Sequence, residues 1–160
     1  MTDHAKNPSD PFGLQRFVDA QRNTYALALA ELRAGHKRGH WMWFVFPQVA
    51  GLGHSATAKR YAIGSREEAI AYLAHPVLGP RLRAGAEAVL GVTGRSVHDI
   101  FGYPDDLKLH SSMTLFARLA EPDSPFRRVL ERFCEGAEDP ATIAVLAAWA
   151  AGPPASTADR

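Results

Sequence analysis

Three side chains in the second half of the chain have the types and spacing to handle a polar ligand or a proton. Asp105, Lys108 and Ser112 fall at i, i+3 and i+7, one face of an α-helix. A carboxylate, an ammonium and a hydroxyl on one face can hold an anion or move a proton. Ser111 stands beside them and adds a second hydroxyl. A plain structural role fits the same residues. Asp105 can cap the helix and pair with Lys108, while Ser111 and Ser112 bond carbonyls one turn back.

The other candidate stretch is His40-Trp-Met-Trp-Phe-Val-Phe-Pro-Gln48, the densest aromatic run in the chain. Large aromatics bury the most area per residue, so this run belongs in the core or against a pocket. Trp41 or Trp43 can stack on a planar ring, with His40 and Gln48 reaching its edge. The competing role for His40 and Gln48 is to satisfy backbone groups of an irregular segment. Gly51-Leu-Gly53 and Ser55 then form a glycine-containing loop before a short helix with Lys59, Arg60 and Tyr61. Amides at that helix start, with the cations, suit a phosphate or carboxylate. A solvated basic face explains the charges equally well.

Strong motifs are missing. There is no P-loop, no His-Glu-x-x-His, no Cys-x-x-Cys and no Gly-x-Ser-x-Gly. Of seven histidines only His36 and His40 have i, i+4 spacing, and Gly35 and Gly39 argue against a helix there. No metal site and no cofactor is expected. The lone Cys134 lies in a helical pattern and reads as a small buried hydrophobe rather than a reactive thiol.

These residues need elements to hold them. The 160-residue chain is 46% hydrophobic, enough for one domain with a useful core. Asp10-Pro11, Ser124-Pro125 and Asp139-Pro140 each read as a helix start, an N-cap followed by proline at the first helical position. Apolar spacing predicts a first helix from Pro11 to about Ala34, closed by Gly35. Ser65-Arg-Glu-Glu68 reads as a capping box. Further helices are expected over 55–61, 65–74, 78–90, 96–102, 104–120, 124–136 and 141–151. No second strand is evident to pair with the aromatic run, so it reads as a short buried helix or irregular segment. The expected fold is all-α: one compact multihelical domain of about seven or eight helices over residues 10–152, with disordered ends at 1–9 and 153–160.

Net charge is +1, from 18 basic and 17 acidic residues. No basic field follows, and a nucleic-acid partner is not expected. Met1 to Asp10 is polar without an apolar signal region, and Ile143 to Ala151 is too short to span a bilayer. No membrane partner is expected, and the location expected is cytoplasmic.

Taken together, His40-Trp-Met-Trp-Phe-Val-Phe-Pro-Gln48, Gly51-Leu-Gly53, Ser55, Arg60-Tyr-Ala62, Tyr72-Leu-Ala-His-Pro76, Leu78-Gly79, Ile100-Phe-Gly102, Asp105, Lys108 and Ser111-Ser-Met-Thr-Leu-Phe116 resemble a bacterial family, domain of unknown function 1810. The resemblance covers nearly all of residues 10–150. It implies a small all-helical fold without an established activity. Members are often auto-labelled calpastatin, which implies protease inhibition. Calpain inhibitors are disordered repeats, however, and this chain reads as a packed domain without repeats. His54 and His110 depart from the family pattern, where arginine and a basic or polar residue are expected.

Two functions of different classes are expected. In the first, the 40–48 segment and the 105–114 helix line one pocket for a small anionic or nucleotide-like metabolite. Trp41 or Trp43 stacks, Lys108 or Arg60 neutralises charge, and Gln48, Ser111 and Ser112 orient the ligand. His40 or Asp105 is then the best general base, but no nucleophile–base pair is identifiable and no reaction is assigned. In the alternative, the aromatic run or the final helix with Trp149 docks a protein partner, without catalysis.

Overall fold

The computed structural model describes residues 9–152. The ends expected to be disordered lie outside those residues, apart from Ser9. The chain forms α1 (Gln15–Gln21), α2 (Tyr25–Arg33), α3 (Met42–Val45), α4 (Ala56–Arg60) and α5 (Arg66–Ala74), then α6 (Leu78–Leu90), α7 (Val97–Phe101), α8 (Asp105–Ala117), α9 (Pro125–Phe133) and α10 (Pro140–Ala151). The described residues contain no strand, and the fold is all-α. A parallel bridge between Val49 and Ile63 stands outside the helices.

Side-chain caps set five of the ten helix starts among the described residues. Ser55, Ser65, Ser96, Ser124 and Asp139 each sit in extended backbone and accept a bond from the amide three residues on. At Ser65 the box is only half reciprocal. Glu68 turns its carboxylate to the Gly64 amide and to Arg16 instead of the Ser65 amide.

The helix count exceeds seven or eight for two reasons. The expected helix from Pro11 to Ala34 is two helices. Gly13, at φ 65°, holds a turn ahead of α1, with Asp10 bonding the Leu14 and Gln15 amides. Weak helix formers then break the run at Asn23 and Thr24, where the Thr24 amide bonds the Gln21 carbonyl. The aromatic run adds the other helix, the single turn α3. Two helices are also shorter than expected, α8 stopping at Ala117 and α9 at Phe133.

α8 is the axis of the core. Leu109 and every residue from Ser111 to Ala117 are buried, as befits a helix surrounded by others. Phe17, Trp41, Phe46, Tyr72 and Phe126 share its hydrophobic core, Tyr72 and Phe126 in ring contact with Phe116 of α8. Burying each such side chain contributes about 1.5–3 kcal/mol. Arg16 fastens α1 to the far side of the fold, donating to the Arg60 and Ala62 carbonyls and pairing with Glu68 at 2.8 Å. Gly79 lets α6 start directly against α5, since a Cβ there would lie 2.2 Å from the Leu73 carbonyl oxygen.

Candidate functional site

The aromatic run is held from both ends. From α2, Glu31 Oε1 accepts from the Arg38 amide (2.8 Å), the Gly39 amide (3.0 Å) and the Trp41 indole (2.8 Å). Burial pushes the Glu31 carboxyl up, but these donors and Lys37 outweigh it and hold it below its ordinary value. From α1, Gln21 donates to the Phe44 carbonyl at 2.7 Å, beside the Tyr72 hydroxyl. Burial raises the Tyr72 phenol far above its usual range, so it stays neutral. Trp41 is thereby locked into the core at 1% exposure, while Trp43 is half-buried.

The chain after α3 is clasped into a closed loop. The Ile63 amide donates to the Gln48 carbonyl and the Ala50 amide to the Ile63 carbonyl, at 3.0 and 2.8 Å. Within it Gly53 packs on α4 so closely that a Cβ would lie 2.6 Å from the Ala58 Cβ. Leu52, Gly53, His54 and Ser55 are thereby brought to the side of Trp43.

α8 forms the opposite wall. Lys108 places its ammonium 4.2 Å from the centre of the Trp43 ring. Asp105, one turn earlier, lies 3.4 Å from Lys108 Nζ and 2.6 Å from Lys37 Nζ. Lys37 in turn stands 5.0 Å from the Trp41 ring centre. Two lysines on two tryptophans therefore share one carboxylate. Ser111 Oγ lies 3.1 Å from Asp139 Oδ2 and 3.2 Å from the Leu107 carbonyl. Asp139 Oδ2 also accepts from the Thr142 amide and hydroxyl, at 3.0 and 2.6 Å.

Between these walls lies a cavity of about 420 Å³, with Asp139 and Ala141 of the α10 start as its third side. That volume is in the range of small-molecule sites, about 300–1,000 Å³. Its lining is chiefly apolar (Trp43, Leu52, Ala58, Pro104, Leu107, Ala141), with Gln48, His54, Ser55, Lys108, Ser111 and Asp139 as the polar groups. Such a wall can bind and orient. Ser111 reaches a carboxylate rather than an imidazole, which gives it no strong activating base. Burial pushes the Cys134 thiol up, away from the reactive thiolate. Among the described residues no three His, Cys, Asp or Glu side chains cluster as metal ligands. No helix of the described residues is long and apolar enough to cross a membrane.

Of the residues singled out in the sequence, Trp43, Gln48, Lys108 and Ser111 line this cavity together. Trp41 does not: its indole is spent on Glu31. Arg60 points elsewhere, over the Tyr61 ring. Ser112 is fully buried and its hydroxyl has no hydrogen-bond partner among the described residues. His40 is exposed on the surface, and Asp105 is occupied by two lysines. Asp139 is a polar lining residue that sequence reasoning missed as such, and Leu52, Ala58, Pro104, Leu107 and Ala141 are apolar ones. Asp139 was legible only as a helix cap, and its approach to Ser111 joins residues 28 positions apart.

The profile of the family described as "Protein of unknown function (DUF1810)" matches residues 11–146. The conserved hypothetical protein Rv1873 from Mycobacterium tuberculosis, solved as a crystal structure, is 57% identical. Its match covers 87% of this chain and 99% of that one, with a TM-score of 0.85. No curated protein matches the chain. The span and identity of these matches make the conclusion plain: this chain belongs to the DUF1810 family of proteins of unknown function.

Proposed function

We propose that this protein binds a small anionic metabolite in the cavity between α3 and α8, and that binding rather than catalysis is the role of the site. The observation that carries the reading is Lys108. Its side chain is 20% exposed, its ammonium rests on Trp43, and the residue borders a cavity of about 420 Å³. The Lys37 and Lys108 ammoniums both face the Asp105 carboxylate, so Asp105 is shared between them and does not serve Lys108 alone. The Gln48 side-chain amide lines the cavity and can both donate and accept toward a ligand. Apolar Leu52, Leu107 and Ala58 suit the body of a nucleotide-like or comparable small molecule.

A thermal-shift panel of small phosphates, carboxylates and nucleotides, run on wild type and Lys108→Met, tests this. At a hundredfold excess over Kd, a bound ligand raises apparent stability by about 2.7 kcal/mol. A shift lost in Lys108→Met is expected. A flat panel on folded wild type removes the reading.

One observation favours the alternative, a protein partner. Tyr103 and Leu107 are 75% and 54% exposed at the α7–α8 corner, and Leu107 borders the cavity. The tryptophans of the aromatic run do not add to this patch, since Trp41 is buried and Trp43 faces Lys108. The patch is small, and the cavity reading ranks first.

A further inference from the structure

The cavity has a second charged end, and it is negative. Asp139 lines the wall at the start of α10. All the hydrogen bonds its carboxylate makes within the described residues fall on Oδ2, from Ser111, Thr142 N and Thr142 Oγ1. Oδ1 makes no hydrogen bond among the described residues. Helix capping needs only one carboxylate oxygen, so this arrangement divides the group between fold and site.

A carboxylate oxygen covered by a ligand without a donor is costly, because it gives up water for nothing. A ligand negative throughout would also meet repulsion there. Lys108 and Ser111 are one turn apart on α8, with about 5–6 Å between such Cβ atoms, and Ser111 touches Asp139. Lys108 and Asp139 thus border one and the same cavity of about 420 Å³.

We infer that the ligand of this cavity is amphoteric: an anionic end at Lys108 and a hydrogen-bond-donating end, an ammonium or a diol, at Asp139 Oδ1. This rests on the reading of the cavity as an anion-binding site and narrows its ligand class. A ligand with a donor at that end is favoured over a fully anionic one of the same length.

Matched probes test the inference: δ-aminovalerate against valerate for the ammonium, and glycerol phosphate against propyl phosphate for the diol. Affinities are measured by ligand-detected NMR on wild type, Asp139→Asn and Lys108→Met. Asparagine keeps the cap on α10, which circular dichroism verifies. The expected result is a preference of about tenfold or more for the donor-bearing member of at least one pair on wild type. That preference disappears in Asp139→Asn, while Lys108→Met weakens both members. The pair that shows it identifies the donor as ammonium or diol. Equal binding of both members to wild type, with Lys108 still required, overturns the amphoteric assignment alone. A preference that survives in Asp139→Asn overturns it as well. Absence of Lys108-dependent binding by any probe overturns the anion site and this inference together.

Discussion

The Lys108 ammonium rests 4.2 Å from the centre of the Trp43 ring, and this contact joins the two halves of the chain at the cavity wall. Trp43 belongs to a one-turn helix fixed by α1 and α2, whereas Lys108 rides on the central helix α8. Asp105 holds the ammonium from the other side, and shares itself with Lys37.

Lys108→Met keeps the aliphatic stem over Trp43 and removes the charge. Its cost to stability is expected to be below about 1 kcal/mol, as for other partly solvated pairs. Chemical denaturation checks this. A large loss of stability here assigns Lys108 a structural role.

Asp105→Asn is expected to cost more, about 2–4 kcal/mol, because the Lys37 side chain is only 6% exposed and is left as a buried ammonium without its carboxylate. The order of the two variants is the informative quantity. If Asp105→Asn is as mild as Lys108→Met, the shared carboxylate does not anchor this wall.

Glycine substitutions separate fold from site. An alanine Cβ at Gly79 meets the Leu73 carbonyl oxygen at 2.2 Å, so backbone must move and the melting temperature falls sharply. At Gly53 the clash is with Ala58, at 2.6 Å, on the small helix that borders the cavity. Gly53→Ala is expected to alter ligand affinity more than stability, with a cost of about 1–3 kcal/mol. Thermal melts and titrations on both variants distinguish the two effects.

Acid should loosen the aromatic run through Glu31. Its folded value lies below the ordinary 4.5, so its contribution is complete above pH 4.5 and is lost as pH falls through the lowered value. Trp41, whose indole bonds this carboxylate, reports the change by fluorescence. Glu31→Gln is expected to cost about 1–2 kcal/mol at neutral pH. It should also flatten this part of the acid limb. An unchanged limb in the variant assigns the acid sensitivity to other carboxylates.

Much of the helical layout is legible locally, because caps are local chemistry. Ser65, Ser96, Ser124 and Asp139 each announce a helix within four residues of its start. The break between α1 and α2 is harder to read. Their apolar spacing runs through residues 22–24 without a glycine or proline, and burial of Gln21 against the Phe44 carbonyl is a long-range event. The candidate site divides the same way. Lys108 and Ser111 share a helix face that spacing reveals, and the aromatic composition marks Trp43 as a wall. Asp139 comes to Ser111 only through the packing of α10 on α8. Trp41 and Trp43 look equivalent in sequence, yet a bond to Glu31 buries one and leaves the other at the cavity.

The most direct test of the cavity as a ligand site is an amide nitrogen–proton correlation spectrum, recorded while the protein is titrated with small phosphates and carboxylates. The account predicts saturable shifts concentrated at Gln48, Gly53, Ser55, Lys108 and Ser111, absent in Lys108→Met. Shifts scattered over the surface, or none at the cavity with the protein fully folded, would contradict it.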